Sequence, residues 1–155
     1  HMNVGIVVYS HTGNTLSVAE KLAQGIRASG HAVQIVRIEP VDSNLQAKPP
    51  VKLQSVPDIS TFDVVVFASP IHGFTLAQAM KAYLEQLPDL EGKFIYSYVT
   101  QHLKWAWMGG NRGLRIIETS CKAKGESVRG SAVIHWSSPQ RDEQIQNLVK
   151  HLIVF

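Results

Sequence analysis

Short runs rich in Val, Ile and aromatic residues alternate along the chain with stretches whose apolar positions recur every three or four residues. The runs fall at residues 3–9, 32–38, 64–68, 93–99 and 127–135. Several are apolar at consecutive positions, Val64-Val65-Val66-Phe67-Ala68 most plainly. That pattern predicts strands covered on both faces. The intervening stripes have helical period: Leu16, Ala19, Ala23 and Ile26; Leu76, Met80, Tyr83, Leu84 and Leu87; Ile145, Leu148, Val149 and Leu152. A fourth helix is expected over residues 110–124, with Leu114, Ile117 and Cys121 inward. Such alternation predicts a parallel sheet with helices on both faces. Residues 39–61 break the rhythm. Pro40, Pro49, Pro50 and Pro57 leave little period there, so a surface connection with a short helix or none is expected.

Composition narrows this picture. The 155 residues suit one domain, expected over residues 3–155, with His1-Met2 read as an expression-tag remnant. Hydrophobic residues at 45% against 17% charged exclude a disordered chain. No apolar run is long enough to span a bilayer, and residues 4–9 lack the basic leader of a signal peptide. A soluble, cytoplasmic protein is therefore expected. The single cysteine, Cys121, excludes an internal disulfide framework and a thiolate zinc cluster, and no metal site is expected. Fifteen Lys and Arg against twelve Asp and Glu give a net charge of +3. The basic residues form no run, so nucleic acid is not an expected partner.

In an open parallel sheet, ligands bind beyond the C-terminal strand ends. Three segments leave such ends. The first is Ser10-His11-Thr12-Gly13-Asn14-Thr15, opening a helix. Its small residues let backbone amides converge, its hydroxyls add donors, and the helix N-terminus adds partial positive charge. Phosphate can be held there without Lys or Arg. The same residues also suit a plain capped turn. The segment is neither a P-loop nor a G-x-G-x-x-G turn. The second is Ser69-Pro70-Ile71-His72-Gly73-Phe74, where Pro stiffens the backbone and Gly permits close approach. The third runs from Thr100, Gln101 and His102 through Lys104, Trp105, Trp107 and Met108 to Gly109 and Gly110. Its tryptophans suit a stacked flat ligand, a covered core edge or a partner surface.

A phosphate cradle beside two apolar, aromatic loops suits a phosphorylated planar heterocycle, and here the residues resemble a family. Over essentially its whole length the chain is similar to the flavodoxin-like proteins. Residues 10–15 match that family's Thr/Ser-x-Thr-Gly-x-Thr phosphate loop, residues 69–73 look like its second loop, and residues 100–110 occupy the place of its third. The resemblance implies a three-layer α/β/α fold with a five-stranded parallel sheet in order 2-1-3-4-5. It further implies non-covalent FMN held by these three segments, similar to the short-chain kind.

One departure stands out. Residues 100–117 contain no Asp or Glu and carry Lys104, Arg112 and Arg115 instead, whereas electron-carrying flavodoxins usually surround the flavin with acids. Cations near a flavin favour its anionic reduced form. They equally suit a solvated face. The resemblance implies electron transfer to a redox partner protein or a small-molecule acceptor. An NAD(P)H-dependent FMN reductase of quinone type is the alternative, and a flavin-free interaction module on the same fold is a third. No residue is assigned a catalytic role. His72 and His102 are the titratable groups placed nearest the ring, and Trp136 is expected at the core or rim.

Overall fold

The computed structural model describes residues 1–152. In chain order it contains β1 (Asn3–Val8), α1 (Asn14–Ala28), β2 (Ala32–Arg37), β3 (Glu39–Pro40), β4 (Leu53–Ser55), β5 (Val64–His72) and β6 (Thr75–Leu76). Next come α2 (Gln78–Leu84), β7 (Phe94–Gln101), α3 (Gly110–Lys122), β8 (Val128–His135) and α4 (Arg141–Asn147), which continues as a π-helical turn over Leu148–Leu152. The last expected stripe spans α4 and this turn. Leu152 ends it, but its side chain lies outside the described residues, as does the end of the expected domain at 153–155.

The main sheet runs β2-β1-β5-β7-β8, with every neighbouring pair parallel. Numbered by its five parallel strands alone, that is the expected order 2-1-3-4-5. Consecutive apolar residues are apolar on both sides for a reason. In β5, Val65 and Phe67 pack with α2 and α3, through Met80, Tyr83, Ile117 and Cys121. Their neighbours Val64, Val66 and Ala68 pack with α1 and the C-terminal helix, through Val18, Leu22, Ile145 and Leu148. The sheet is thus the middle of three layers.

Residues 39–61 form no helix. A two-stranded antiparallel pair, β3 and β4, stands there instead, and the connection covers the sheet with Ile38, Ile59 and Phe62. Gly5 makes that cover possible, because a Cβ at this position would overlap the Phe62 ring. Where the chain has no helix, a buried aromatic ring lies directly on a side-chain-free strand position.

Two expectations about boundaries are corrected. The strand expected at residues 64–68 continues to His72, so Ser69, Pro70, Ile71 and His72 are strand rather than loop. Pro70 stays in the ladder opposite Thr100. Beyond it the chain doubles back, β6 pairing antiparallel with Ile71 and His72. Leu76, expected on a helix, is therefore in β6, and α2 begins only at Gln78. Leu76 is nonetheless fully buried, and so is Leu87 beyond the helix end.

Candidate functional site

The first segment turns from β1 into α1 through Gly13, whose φ of 96° is the left-handed conformation that glycine adopts without a Cβ penalty. Asn14 and Thr15 open the helix. The amides of Gly13 and Leu16 donate to Ser10 Oγ at 3.2 and 3.3 Å. An oxygen is thus already held where backbone N–H groups meet at a helix start, the environment that also suits a phosphate oxygen. No Cβ contact would arise at Gly13 within 4 Å, so the approach to that turn is open. His11 and Thr12 are exposed around it.

Thr15 faces inward. Its hydroxyl shares a 2.8 Å hydrogen bond with the Thr100 hydroxyl in the buried interior, and Tyr98 donates its phenolic hydrogen to the Thr15 carbonyl at 2.9 Å. These bonds fasten the start of α1 to β7. Thr15→Val keeps the shape but leaves the Thr100 hydroxyl buried without its partner. It is expected to lower unfolding stability by about 1–3 kcal/mol, measured by urea denaturation.

The second segment is the tip of the β5–β6 hairpin. Gly73 and Phe74 form its two-residue turn with φ of 58° and 66°. Positive φ at both central positions is the turn that matches strand twist, but a bulky side chain rarely adopts it. Phe74 does so with its ring 56% exposed. His72, half-buried just before it, meets the rings of Tyr9 and His11 edge-on, each with centroids 6.2 Å apart.

Burial holds the His72 imidazole below its ordinary value of 6.5, with the charge of His11 adding to the effect. A histidine whose folded-state value is lowered takes up its proton less readily in the folded chain than in the unfolded one. Its contribution to stability is complete above 6.5 and is lost as the pH falls from there toward the folded-state value. Denaturation midpoints measured from pH 7.5 down to pH 5 are expected to fall less in His72→Gln than in the parent.

The third segment is corrected at its start, because Thr100 and Gln101 belong to β7 and are buried. Gln101 in turn shapes the loop beyond the strand. Its Nε2 donates to the carbonyls of Leu103 and Trp105, both at 2.7 Å. Trp105 and Trp107 are 51% and 72% exposed, and Met108 is half-buried. Gly109 and Gly110 are buried at the start of α3. Of the three cations in this region, Lys104 lies over the Trp105 ring at 4.8 Å, while Arg112 and Arg115 are exposed on α3. Trp136 is half-buried, with the Arg141 guanidinium 4.6 Å from its ring centre.

The three segments converge pairwise. The first meets the second where His11 faces His72. The first meets the third where Asn14 Nδ2 lies 3.4 Å from His102 Nε2, and His102 Nδ1 in turn lies 3.3 Å from Ser137 Oγ. The second meets the third at Gly109, where a Cβ would come within 2.8 Å of the Phe74 carbonyl carbon and 2.6 Å of Ile71 Cγ2. Sequence reasoning missed Ser137 and Tyr9, neither of which sits in a recognisable motif. Among the described residues, no helix is long and apolar enough to cross a membrane.

This strand order, with helices on both faces and the loops gathered at the C-terminal strand ends, is the flavodoxin-like α/β architecture. Among solved structures, the chain is similar to the Streptococcus pneumonia TIGR4 flavodoxin, with a TM-score of 0.71, 18% identity and 97% of each chain covered. It is similar to Fusobacterium nucleatum flavodoxin bound to flavin mononucleotide, with a TM-score of 0.69, 12% identity, and 96% of this chain and 95% of that one covered. A flavoprotein in complex with FMN from Lactobacillus acidophilus NCFM superposes with a TM-score of 0.64 at 16% identity, over 93% of this chain and 99% of that one. No family model matches the chain, and no curated protein matches it by sequence. At these identities the likeness establishes the fold.

Proposed function

We propose that the chain binds FMN non-covalently and serves as a redox protein, passing electrons to a partner protein or a small-molecule acceptor. The observation that carries this reading is the pairwise convergence of the three segments at the C-terminal strand ends. The FMN in the Fusobacterium and Lactobacillus structures supports the choice of cofactor. The local chemistry fits it as well. Amides that already hold one oxygen at the α1 N-terminus suit a phosphate. Exposed Phe74, Trp105 and Trp107 supply apolar, aromatic surface for a flat ring.

In this reading Ser10, His11, Thr12, Gly13 and Asn14 surround the phosphate, and Thr15 fixes the helix start beneath them. Ile71, His72, Gly73 and Phe74 flank the ring on one side, with Trp107, Met108, Gly109 and Gly110 on the other. Ser69, Pro70, Thr100 and Gln101 support both sides from within the sheet. His72, kept neutral by burial at physiological pH, offers a hydrogen bond without a charge. FMN supplies one- and two-electron chemistry when bound, and the protein supplies anchoring and placement.

Titration of the purified chain with FMN tests the reading. Saturable quenching of flavin emission is expected, and emission unchanged by the protein would overturn it. Steady-state oxidation of NAD(P)H with a quinone acceptor then separates a carrier from a reductase. A carrier turns over negligibly unless a partner reductase is added.

A further inference from the structure

A cleft of about 600 Å³ lies between the β3–β4 connection and the β5–β6 hairpin, within the size range of small-molecule sites. None of residues 10–15 or 100–110 lines it. It touches the proposed flavin site only through the hairpin residues Ile71, His72 and Gly73.

Tyr9 forms part of the lining. Its side chain is 5% exposed and meets His72 edge-on. Among the described residues its hydroxyl has no hydrogen-bond partner, and it is not one of the sealed polar atoms, which are Ser97 Oγ and Gln101 Oε1. The hydroxyl therefore keeps some exposure, on a residue that lines the cleft. Tyr83 and Tyr98, more deeply buried, donate theirs to the Pro57 and Thr15 carbonyls. A hydroxyl that no protein group claims is free to exchange water for a bound molecule, and the cleft is where such a molecule fits. Burial raises the Tyr9 phenol above its ordinary value of 10.0, so it stays protonated and donates.

The walls define the partner further. Leu45, Val51 and Ile71 supply apolar surface beside the polar Ser43, Asn44, Gln46, Thr75 and Gln78, and Asp42 is the single charged lining residue. With no Lys or Arg on the walls, nothing there neutralises an anion. The outer wall is locally braced. The Asn44 amide donates to Asp42 Oδ1 and the Gln46 amide to Asn44 Oδ1, both at 2.9 Å.

We propose that this cleft is a second small-molecule site, taking an uncharged compound of mixed polar and apolar surface that presents a carbonyl oxygen to the Tyr9 hydroxyl. The site stands independently of FMN, although its position against the hairpin suits the acceptor that the proposed redox function requires.

The test uses coumarin as the uncharged carbonyl probe and coumarin-3-carboxylate as its anionic counterpart, each titrated into methyl-labelled protein and followed by NMR. Coumarin is expected to give saturable shifts at Leu45, Val51, Ile71 and Leu76, and the carboxylate to bind at least about tenfold more weakly. Tyr9→Phe is expected to weaken coumarin binding by about tenfold, the loss of one buried hydrogen bond. Leu45→Trp, at a 48% exposed position where folding is not at stake, is expected to block the cleft. Equal binding of both probes, shifts confined to residues 100–110, indifference to both substitutions, or no saturable shift would each overturn the proposal. Repeating the titration in a variant that has lost FMN binding keeps the two readings apart, since coumarin should still bind.

Discussion

Thr12→Asp is expected to weaken FMN binding by two orders of magnitude or more while leaving the fold intact. Thr12 is exposed in the turn before α1, so the new side chain disturbs no packing. Its carboxylate would lie beside a phosphate held by amides, with no Lys or Arg in the loop to offset it. Two like charges about 4 Å apart interact by about 4 kcal/mol at the dielectric typical of a protein surface, and about 1.4 kcal/mol is a tenfold change in affinity. Flavin emission titrations of parent and variant give the ratio directly. Equal affinity would move the phosphate elsewhere on the protein. Thr12→Asn, of similar size and uncharged, is the control and should bind within a few-fold of the parent.

Gly109→Ala is expected to be the most damaging single-methyl change among the residues of the candidate site. Gly109 has a φ of 123°, where side chains are strained. Its added Cβ would also meet the Phe74 backbone at 2.8 and 2.9 Å, and backbone cannot rotate away as the end of a side chain can. Strain of about 1–3 kcal/mol and overpacking of about 1–3 kcal/mol act together. A loss of about 3 kcal/mol in urea denaturation is the expected result. Gly73→Ala is the comparison, because at that turn a Cβ meets nothing within 4 Å. It should lose only the backbone term, about 1 kcal/mol. Equal losses in the two variants would show that the Gly109–Phe74 approach does not govern stability.

The layers were legible in the sequence because both faces of the central strands are buried. Val64 to Ala68 alternate between two cores, and only a sandwiched strand needs apolar residues at every position. The first segment was legible for a local reason: a small-residue turn into a helix draws its amides from neighbours in sequence. The hairpin was hidden because Ser69 and Pro70 read as turn residues, whereas the ladder to β7 and the return of β6 hold them in strand. Nothing in a phenylalanine announces a left-handed φ, so Phe74 could not be foreseen at the tip. The Asn14–His102–Ser137 contacts join residues 88 and 35 positions apart, a distance no local pattern reports. Tyr9 read as the end of an apolar strand, and its unpaired hydroxyl became visible only beside the cleft.

The connection that replaces a helix between β2 and β5 bears on how this molecule can diverge. It adds no strand to the main sheet, and its 41–50 stretch is mostly exposed. Loop-closure entropy makes doubling such a segment cost only about 0.6 kcal/mol. Insertions, deletions and recomposition there leave the layered core and the convergent segments untouched while redrawing one wall of the neighbouring cleft. The shape of that cleft is thus free to drift, in chains of this design, within a stretch that folding barely constrains.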